Sequence, residues 1–201
     1  MGEVIFGRRV ILTTGTFLRG LIHIGLESHP GGRHGEGAAG ALSAALRALG
    51  LRIGRLKTGT PCRLDRQSVD LQRLEAQYGD HPLPRLSYWS EWPDGRPPSA
   101  QLPCHITYTN PRTHEIIRRS LDRSPLYTGK IEGIGPRYCP SIEDKVVRFP
   151  ERDRHQIFIE PEGRHTDEIY LNGLSTSLPR ETQRRMIDSI EGLDGATNLM
   201  P

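Results

Sequence analysis

The sequence predicts an α/β fold in which the chain leaves one sheet and later rejoins it. Short apolar runs with β-branched residues, typical of strands, are densest towards the two ends of the chain, and an amphipathic helix pattern follows the first of them. The middle of the 201-residue chain is richer in proline than its two ends. These observations predict part of one sheet domain in residues 1–60, an inserted mixed α/β domain in residues 61–146, and a return to the first domain in residues 147–201.

The first predicted elements are a strand, a helix and a second strand. Residues 9–14 form a short apolar run that is closed by Gly15, which predicts a buried strand. Residues 38–49 are predicted to be a helix that Gly50 terminates, and residues 51–56 to be a strand. The predicted core face of this helix consists of Leu42, Ala45, Leu46 and Leu49.

A glycine-rich loop precedes the predicted helix. Residues 29–37 do not match the GxGxxG spacing of a dinucleotide fingerprint. The backbone N–H groups around Gly32 and the guanidinium of Arg33 nevertheless suit a phosphate. The alternative is a flexible connector.

The inserted region contains a predicted strand and a capped helix. Residues 104–109 alternate as a strand, and Asn110 is the predicted N-cap of a helix over residues 111–121. The basic residues on or just past this helix are Arg118, Arg119 and Arg123. They either solvate a helix end or contact phosphate groups. The aromatic residues Tyr88, Trp89 and Trp92 either stack on bases or form a small hydrophobic cluster.

The last third of the chain predicts a strand, a hairpin and a helix. Residues 155–160 are predicted to be a strand, and residues 168–171 and 174–178 flank an Asn-Gly pair that is typical of a hairpin turn. Pro179 begins a predicted helix. The buried face of that helix is predicted to contain Gln183, Met186, Ile187 and Ile190.

Cys139 is the candidate nucleophile. It precedes Ser141, which stands three residues before Asp144 in the spacing of a helix N-cap and its capping partner. A helix N-terminus and the nearby charges of Arg137 and Lys145 favour the thiolate form. The alternative is that the cysteine is a small buried hydrophobic residue.

Composition excludes several classes of protein. The content of 35% hydrophobic and 25% charged residues is that of a soluble globular protein, and the net charge of +3 is only a weak indication of a polyanionic partner. The three cysteines lie far apart, which argues against a disulfide scaffold or a zinc ribbon and favours the cytoplasm. No metal-binding constellation, signal peptide or membrane span is predicted.

Six long motifs carry a resemblance to a known family. They are VILTTGTFLRGLIHIG at residues 10–25, RLKTGTP at 55–61, LDRSPLY at 121–127, GPRYCPSIEDKVVRF at 135–149, HQIFIEPEG at 155–163 and NGLSTSLP at 172–179. In this order they resemble the GidA (MnmG) family, flavoenzymes that modify the wobble uridine of certain tRNAs. Family members also have an N-terminal GxGxxG unit and a C-terminal helical region, so the chain is expected to be the central portion of such an enzyme and to purify without bound flavin.

The resemblance implies a fold, a reaction and a set of partners. The predicted sheet domain becomes part of an FAD/NAD(P)-binding Rossmann-like domain. The implied reaction installs a carboxymethylaminomethyl-type group at C5 of the wobble uridine, with FAD, NADH as reductant and a folate one-carbon donor. The implied partners are tRNA, a GTPase of the MnmE type and a second copy of the enzyme, in the cytoplasm.

The resemblance also assigns roles to residues. Cys139 becomes the catalytic residue, as a nucleophile at uridine C6 or as an acid. The position of Arg118, Arg119 and Arg123 after a capped helix, in a chain that leads on to Cys139, separately predicts that they contact tRNA phosphates. The loop at residues 57–61 is expected to face substrate or cofactor. The expected cofactor contacts are Gly15, Gly32, Arg33, Gly135, Pro136, Arg137, Tyr138, Cys139, Pro140, Ser141, Ile142, Glu143, Asp144, Lys145, Val146, Val147, Arg148 and Phe149.

Two alternative functions are compatible with the sequence. One is a related folate- and FAD-dependent tRNA uridine methyltransferase, against which the segment at residues 135–149 argues. The other is a non-catalytic fragment that binds RNA or a protein partner.

Overall fold

The computed structural model describes residues 3–33, 35–84, 101–131, 133 and 140–200. Residues 135–139 of the predicted site, together with Tyr88, Trp89 and Trp92, lie outside the described residues. The chain divides into two compact units: Met1–His23 with Glu27–Gly54, and Ile24–Leu26 with Arg55–Pro201. The predicted boundaries at 60/61 and 146/147 do not coincide with this division.

The helix in the described part of the first unit has a well-formed C-terminal turn. Helix α1 spans Ala41–Ala48, within the predicted range. Gly50 has a φ of +83°, as the left-handed turn after a helix requires. The Gly50 N–H donates to Arg47 O at 2.9 Å and the Leu51 N–H donates to Leu46 O at 3.2 Å, which together form a Schellman motif. The prediction that Gly50 ends the helix is confirmed.

The strand predictions in this part of the chain are wrong. No strand is assigned to residues 9–14 or 51–56, and Val10 and Ile11 are 79% and 85% exposed. Apolar, β-branched composition favours a strand, but a strand also needs a neighbouring backbone, and within the described residues the two runs contain no more than an isolated bridge at Leu56. The observed strands are β1, Leu21–Ile24, and β2, Glu27–Pro30, which pair in a two-stranded sheet.

The second unit is built on a six-stranded sheet. Its strands are β3 (Arg63–Asp65), β4 (Glu75–Gln77), β5 (Cys104–Tyr108), β6 (Gln156–Pro161), β7 (Glu168–Asn172) and β8 (Asn198–Met200). They lie in the order β4-β5-β6-β7-β3-β8, and each neighbouring pair is antiparallel. Strands from both sides of the predicted boundary at 146/147 therefore share one sheet.

Within the described residues of this unit, three α-helices pack with the sheet. They are α2 (Pro111–Arg118), α3 (Ile142–Arg148) and α4 (Arg180–Ile187), and α2 packs against both α3 and α4. Alternate strand residues are fully buried and share the core with the helices, because successive side chains of a strand point to opposite faces. This core includes Leu64, Ile157, Ile159, Ile169, Leu171, Ile117, Ile142, Met186 and Ile187.

The predicted hairpin at Asn172-Gly173 does not form. Strand β7 pairs with β6 on one side and with β3 on the other, so both of its edges are already occupied. The chain after Gly173 turns away without forming a strand, and Leu174 and Leu178 are buried in the core. Long-range pairing with β3 therefore prevails over the local turn signal.

The α/β class is confirmed, whereas the Rossmann-like detail is not visible in this sheet. A Rossmann-like sheet is mostly parallel, but the pairs of the six-stranded sheet are antiparallel. Among the described residues, the parallel pairing is confined to an isolated bridge between Leu18 and Ala39. A search of the described residues finds no helix long and apolar enough to cross a membrane.

Candidate functional site

An ion pair with little exposure to solvent lies at the start of α3. Lys57 Nζ is 3.0 Å from Asp144 Oδ2, and the two side chains are only 11% and 10% exposed. Burial alone would raise the pKa of Asp144, but the hydrogen bond and charge of Lys57 hold it below its usual range. Asp144 is therefore a stable carboxylate at neutral pH.

The predicted capping box of α3 is confirmed. The Asp144 N–H donates to Ser141 Oγ at 3.3 Å, and the Ser141 N–H donates to Asp144 Oδ2 at 3.4 Å. The Ile142 N–H donates to the backbone carbonyl of Ser175 at 2.7 Å. Asp144 therefore closes the helix N-terminus and neutralises Lys57 with the same carboxylate.

A second carboxylate, Glu143, is buried beside the first. Its Oε1 accepts hydrogen bonds from Thr176 Oγ1 at 2.8 Å and from the Ser177 N–H at 3.2 Å. Its Oε2 is also buried, and no described residue donates to it. Burial raises the pKa of Glu143 in spite of these donors. The start of α3 thus holds one carboxylate that is kept ionised and one for which ionisation is costly.

Tyr127 joins the cluster through its hydroxyl group. Tyr127 Oη donates to Asp144 Oδ1 at 3.4 Å. Burial, followed by the negative charge of Asp144, raises the pKa of Tyr127 to about 12. The phenol therefore stays protonated at neutral pH and is held in place as a hydrogen-bond donor.

Four of the sequence motifs meet in this cluster. Lys57 belongs to RLKTGTP, Tyr127 to LDRSPLY, residues 141–145 to GPRYCPSIEDKVVRF, and residues 173–177 to NGLSTSLP. Lys145 Nζ reaches the last of these by donating to the Gly173 carbonyl at 3.1 Å. We refer to Lys57, Tyr127, Glu143, Asp144 and Thr176 as the α3 cluster.

The α3 cluster holds the chain that directly follows the candidate nucleophile. Cys139 itself lies outside the described residues, but Ser141 is two positions further along and is fixed by the capping box. The first-turn N–H groups of Ile142 and Asp144 are already bonded within the protein. The described end of α3 therefore presents two carboxylates and two N–H groups that are already bonded, which suits a supporting role better than direct contact with a diphosphate.

The other two cysteines are poor nucleophiles. Cys62 is buried, and its burial raises the pKa of its thiol to about 12. The pKa of Cys104 is also raised, first by burial and then by the charge of Glu160. Neither thiol forms an appreciable amount of thiolate at neutral pH.

Two of the three predicted tRNA-binding arginines already contact carboxylates. Arg119 Nε is 2.6 Å from Glu115 Oε1, and Arg123 pairs with Glu181. Arg118 is exposed at the C-terminal end of α2. The three side chains therefore differ in how readily they can reach a phosphate.

The predicted flavin contacts lie in the first unit. Gly15 has a φ of +53°, and a Cβ built there would meet nothing closer than 3.9 Å. At Gly32 a Cβ would lie 2.1 Å from the Phe17 ring, so close packing is what requires glycine there. The Arg33 guanidinium pairs with Glu36 at the mouth of the same loop.

Two members of the α3 cluster were not among the site residues predicted from the sequence. Tyr127 and Thr176 lie 12 and 37 positions from Cys139, and no periodicity in the chain indicates that their side chains would lie near the start of α3. Lys57 was included only as part of a loop expected to face a ligand. Each of these residues lies inside one of the long motifs. That position indicates a functional role, but it does not predict which residues contact one another.

Comparisons with known proteins agree with these motifs. The family described as "Glucose inhibited division protein A" matches residues 1–201. The tRNA uridine 5-carboxymethylaminomethyl modification enzymes MnmG of Geobacter sulfurreducens and Geobacter metallireducens are 61% and 60% identical over 201 residues, which is 100% of this chain and 31% and 32% of theirs.

A solved structure also resembles the chain. The structure of Aquifex aeolicus GidA in its form I crystal matches with a TM-score of 0.81 and 54% identity, covering 94% of this chain and 32% of that one. The chain thus spans about a third of the length of the relatives it matches. From the motifs, the family match and the structural likeness, the chain belongs to the GidA (MnmG) family.

Proposed function

We propose that this chain is the central portion of an FAD-dependent tRNA modification enzyme that installs a carboxymethylaminomethyl-type group at C5 of the wobble uridine. The observation that carries the proposal is the meeting of four family motifs in the α3 cluster, directly after Cys139. The two Geobacter relatives are named as tRNA uridine modification enzymes, which is the same class of reaction.

Cys139 is the proposed catalytic residue. Uridine C5 is a poor nucleophile until C6 is attacked or the ring is polarised, and a cysteine can act in either way, as a nucleophile or as an acid. The high pKa of Cys62 and the raised pKa of Cys104 leave Cys139 as the best candidate of the three. In this proposal the α3 cluster fixes the chain on the C-terminal side of Cys139, so that its thiol is held in one position.

FAD and NAD(H) are the proposed cofactors. Gly15, Gly32 and Arg33 are the proposed flavin contacts; Gly15 leaves room for a close approach, whereas Arg33 must exchange Glu36 for a phosphate. The stretch at residues 135–149 is the proposed nicotinamide site. Within it, residues 135–139 are the proposed contacts, and residues 140–149 support them through α3.

The proposed substrate and partners follow from the family. tRNA is the proposed substrate, with Arg118, Arg119 and Arg123 as phosphate contacts, of which Arg118 is the most accessible. A folate one-carbon donor, a GTPase of the MnmE type, a second copy of the enzyme and a cytoplasmic location complete the proposal.

The experiment that tests this function is an analysis of modified nucleosides. The complete enzyme would be supplied to cells whose own enzyme has been deleted, and nucleosides from their tRNA would be measured by mass spectrometry. Carboxymethylaminomethyl-type uridine at the wobble position is the expected product. Wobble uridines that stay unmodified would contradict the proposal, and 5-methyluridine elsewhere in the tRNA would identify the methyltransferase alternative.

A further inference from the structure

A cleft of about 340 Å³ lies between α2 and α4, and none of its lining residues belongs to the α3 cluster. Its lining residues are Arg112, Glu115, Ile116, Arg119, Arg185 and Asp188. The two helices pack against each other, so the cleft lies on regular elements and not on a loop. This volume is within the range of small-ligand sites and is large enough for one nucleotide unit.

Two arginines at this cleft are available for an external anion. Within the described parts of the chain, neither Arg112 nor Arg185 forms a hydrogen bond or an ion pair with another side chain. A guanidinium group can bind a phosphate through two parallel hydrogen bonds. Because the two arginines come from different helices, a phosphate bound by both would be held from two sides.

The acidic side chains of the cleft are already neutralised. Glu115 pairs with Arg119 at 2.6 Å, and Asp188 accepts from Arg184 Nε at 2.9 Å. The Glu115–Arg119 pair is exposed, and exposed pairs contribute only about 0–1 kcal/mol. With Arg119 paired to Glu115, an external phosphate is left to Arg112 and Arg185.

The remaining lining residue is apolar. Ile116 is buried and belongs to the hydrophobic core, so it gives the cleft a fixed apolar side. A site with two available guanidiniums beside an apolar surface matches the chemistry of a nucleotide, in which an anionic phosphate is joined to a ribose and a base. Inorganic phosphate would use the guanidiniums alone.

We propose that this α2/α4 cleft binds one phosphodiester unit of an RNA strand through Arg112 and Arg185. The inference rests on the proposed function and deepens it, because it assigns a tRNA contact to residues outside the arginine group predicted from the sequence. The α2/α4 cleft and Arg118 would then lie along the same helix, and an RNA backbone could follow α2 from one to the other.

The test compares tRNA binding by two variants of the complete enzyme. Arg112→Gln with Arg185→Gln removes both available charges of the cleft, whereas Arg180→Gln removes one exposed charge from α4 outside it. Labelled tRNA would be titrated by fluorescence anisotropy at several salt concentrations. Uridine monophosphate and inorganic phosphate would be titrated separately, to distinguish an RNA backbone from a free anion.

The double variant is expected to bind tRNA about tenfold more weakly at moderate salt, with a salt slope shallower by roughly 1 to 2 units. Arg180→Gln is expected to change either quantity much less. An unchanged tRNA affinity in the double variant, or an equal loss of affinity in Arg180→Gln, would overturn the proposed RNA contact at the α2/α4 cleft and leave the proposed function intact. Loss of uridine monophosphate or phosphate binding without loss of tRNA binding would assign the cleft to a free anion. Absence of tRNA binding by the unaltered enzyme would contradict both proposals.

Discussion

At the scale of single residues, the α3 cluster depends on charges that are balanced inside the protein. Lys57 and Asp144 are separated by 87 positions in the sequence, and each neutralises the other in a place with little water. A buried pair of this kind contributes less to stability than its Coulomb energy suggests, but removing one member leaves an uncompensated charge. Replacing one partner should therefore lower the free energy of unfolding more than replacing both partners.

Lys57→Met is expected to lower the free energy of unfolding by about 3–5 kcal/mol, because the buried Asp144 would lose its nearest cation and keep only the exposed Arg148, at 4.0 Å. Adding Asp144→Asn should restore part of this loss, since the buried charge is then gone. Urea denaturation measures both variants. Arg119→Gln, which breaks an exposed pair, is the control and should cost less than about 1 kcal/mol. Equal losses in the single and double variants would contradict a role for the buried charge.

Glu143 permits a different comparison. Glu143→Ala removes the acceptor of Thr176 and Ser177, and is expected to cost about 2–4 kcal/mol of unfolding free energy. Glu143→Gln keeps an acceptor and removes a carboxylate whose pKa is raised by burial, so it should cost much less at neutral pH. Thermal unfolding of both proteins measures the difference. If Gln were as destabilising as Ala, the ionised carboxylate itself would be the stabilising group.

At the scale of elements, the predicted helix caps were confirmed, whereas the strand and hairpin predictions were confirmed only in part. The strands predicted at residues 104–109, 155–160 and 168–171 correspond to β5, β6 and β7, but the hairpin at Asn172-Gly173 does not form. The N-caps of α2 and α3 and the glycine after α1 were identified because each depends on residues within a few positions. The strands over residues 9–14 and 51–56 were wrong, because pairing depends on distant backbone. For the same reason the short strands β3, β4 and β8 were missed.

The turn at Gly173 joins β7 to the α3 cluster and has little space. Its φ is +102°, and a Cβ would lie 2.8 Å from the Gln156 carbonyl oxygen. Gly195 also has a positive φ, of +83°, but nothing lies within 4 Å of its Cβ position. Gly173→Ala is therefore expected to destabilise the protein by about 2–4 kcal/mol, and Gly195→Ala by about 1–2 kcal/mol. Equal changes in melting temperature would show that backbone conformation alone matters at both positions.

At the scale of the whole molecule, acid should weaken the second unit through a buried histidine pair. His114 and His155 have ring centroids 5.2 Å apart, and Thr109 Oγ1 lies 2.8 Å from His114 Nε2. Burial and the neighbouring His155 lower the pKa of His114 to about 4, and burial and then Lys145 lower the pKa of His155. Both rings are therefore neutral in the folded protein at pH 7.

These lowered values set the direction of the pH dependence. The pKa of His114 in the folded protein lies below its value in the unfolded chain, so the unfolded chain binds a proton first as the pH falls below about 6.5. The free energy of unfolding is therefore highest above about pH 6.5 and decreases as the pH falls towards about 4. Each histidine can contribute a slope of at most about 1.4 kcal/mol per pH unit. Denaturant unfolding between pH 7 and 4 measures this slope, with the exposed His165→Asn variant as control. A stability that stays constant down to pH 4.5 would contradict neutral buried rings.

The sequence was sufficient for the fold class and the family but not for the architecture around the site. Long motifs identified the family without any contact information, and the α/β class followed from local patterns. The single antiparallel sheet across residues 63–200 could not be predicted from local patterns, because it depends on pairings such as β3 with β7, which are more than 100 positions apart. The contacts of Lys57 and Tyr127 with Asp144 arise from the same long-range packing.

The central claim is that the α3 cluster supports a catalytic cysteine at position 139. The most direct measurement is tRNA modification by the complete enzyme carrying Cys139→Ser, with the melting temperature of the same protein recorded alongside. The thiol is replaced by a hydroxyl of similar shape and much higher pKa, so modification should fall by at least about a hundredfold while the melting temperature changes little. Cys62→Ser and Cys104→Ser are the matched controls and should keep their activity wherever they remain folded. Near-normal modification by Cys139→Ser would contradict the account.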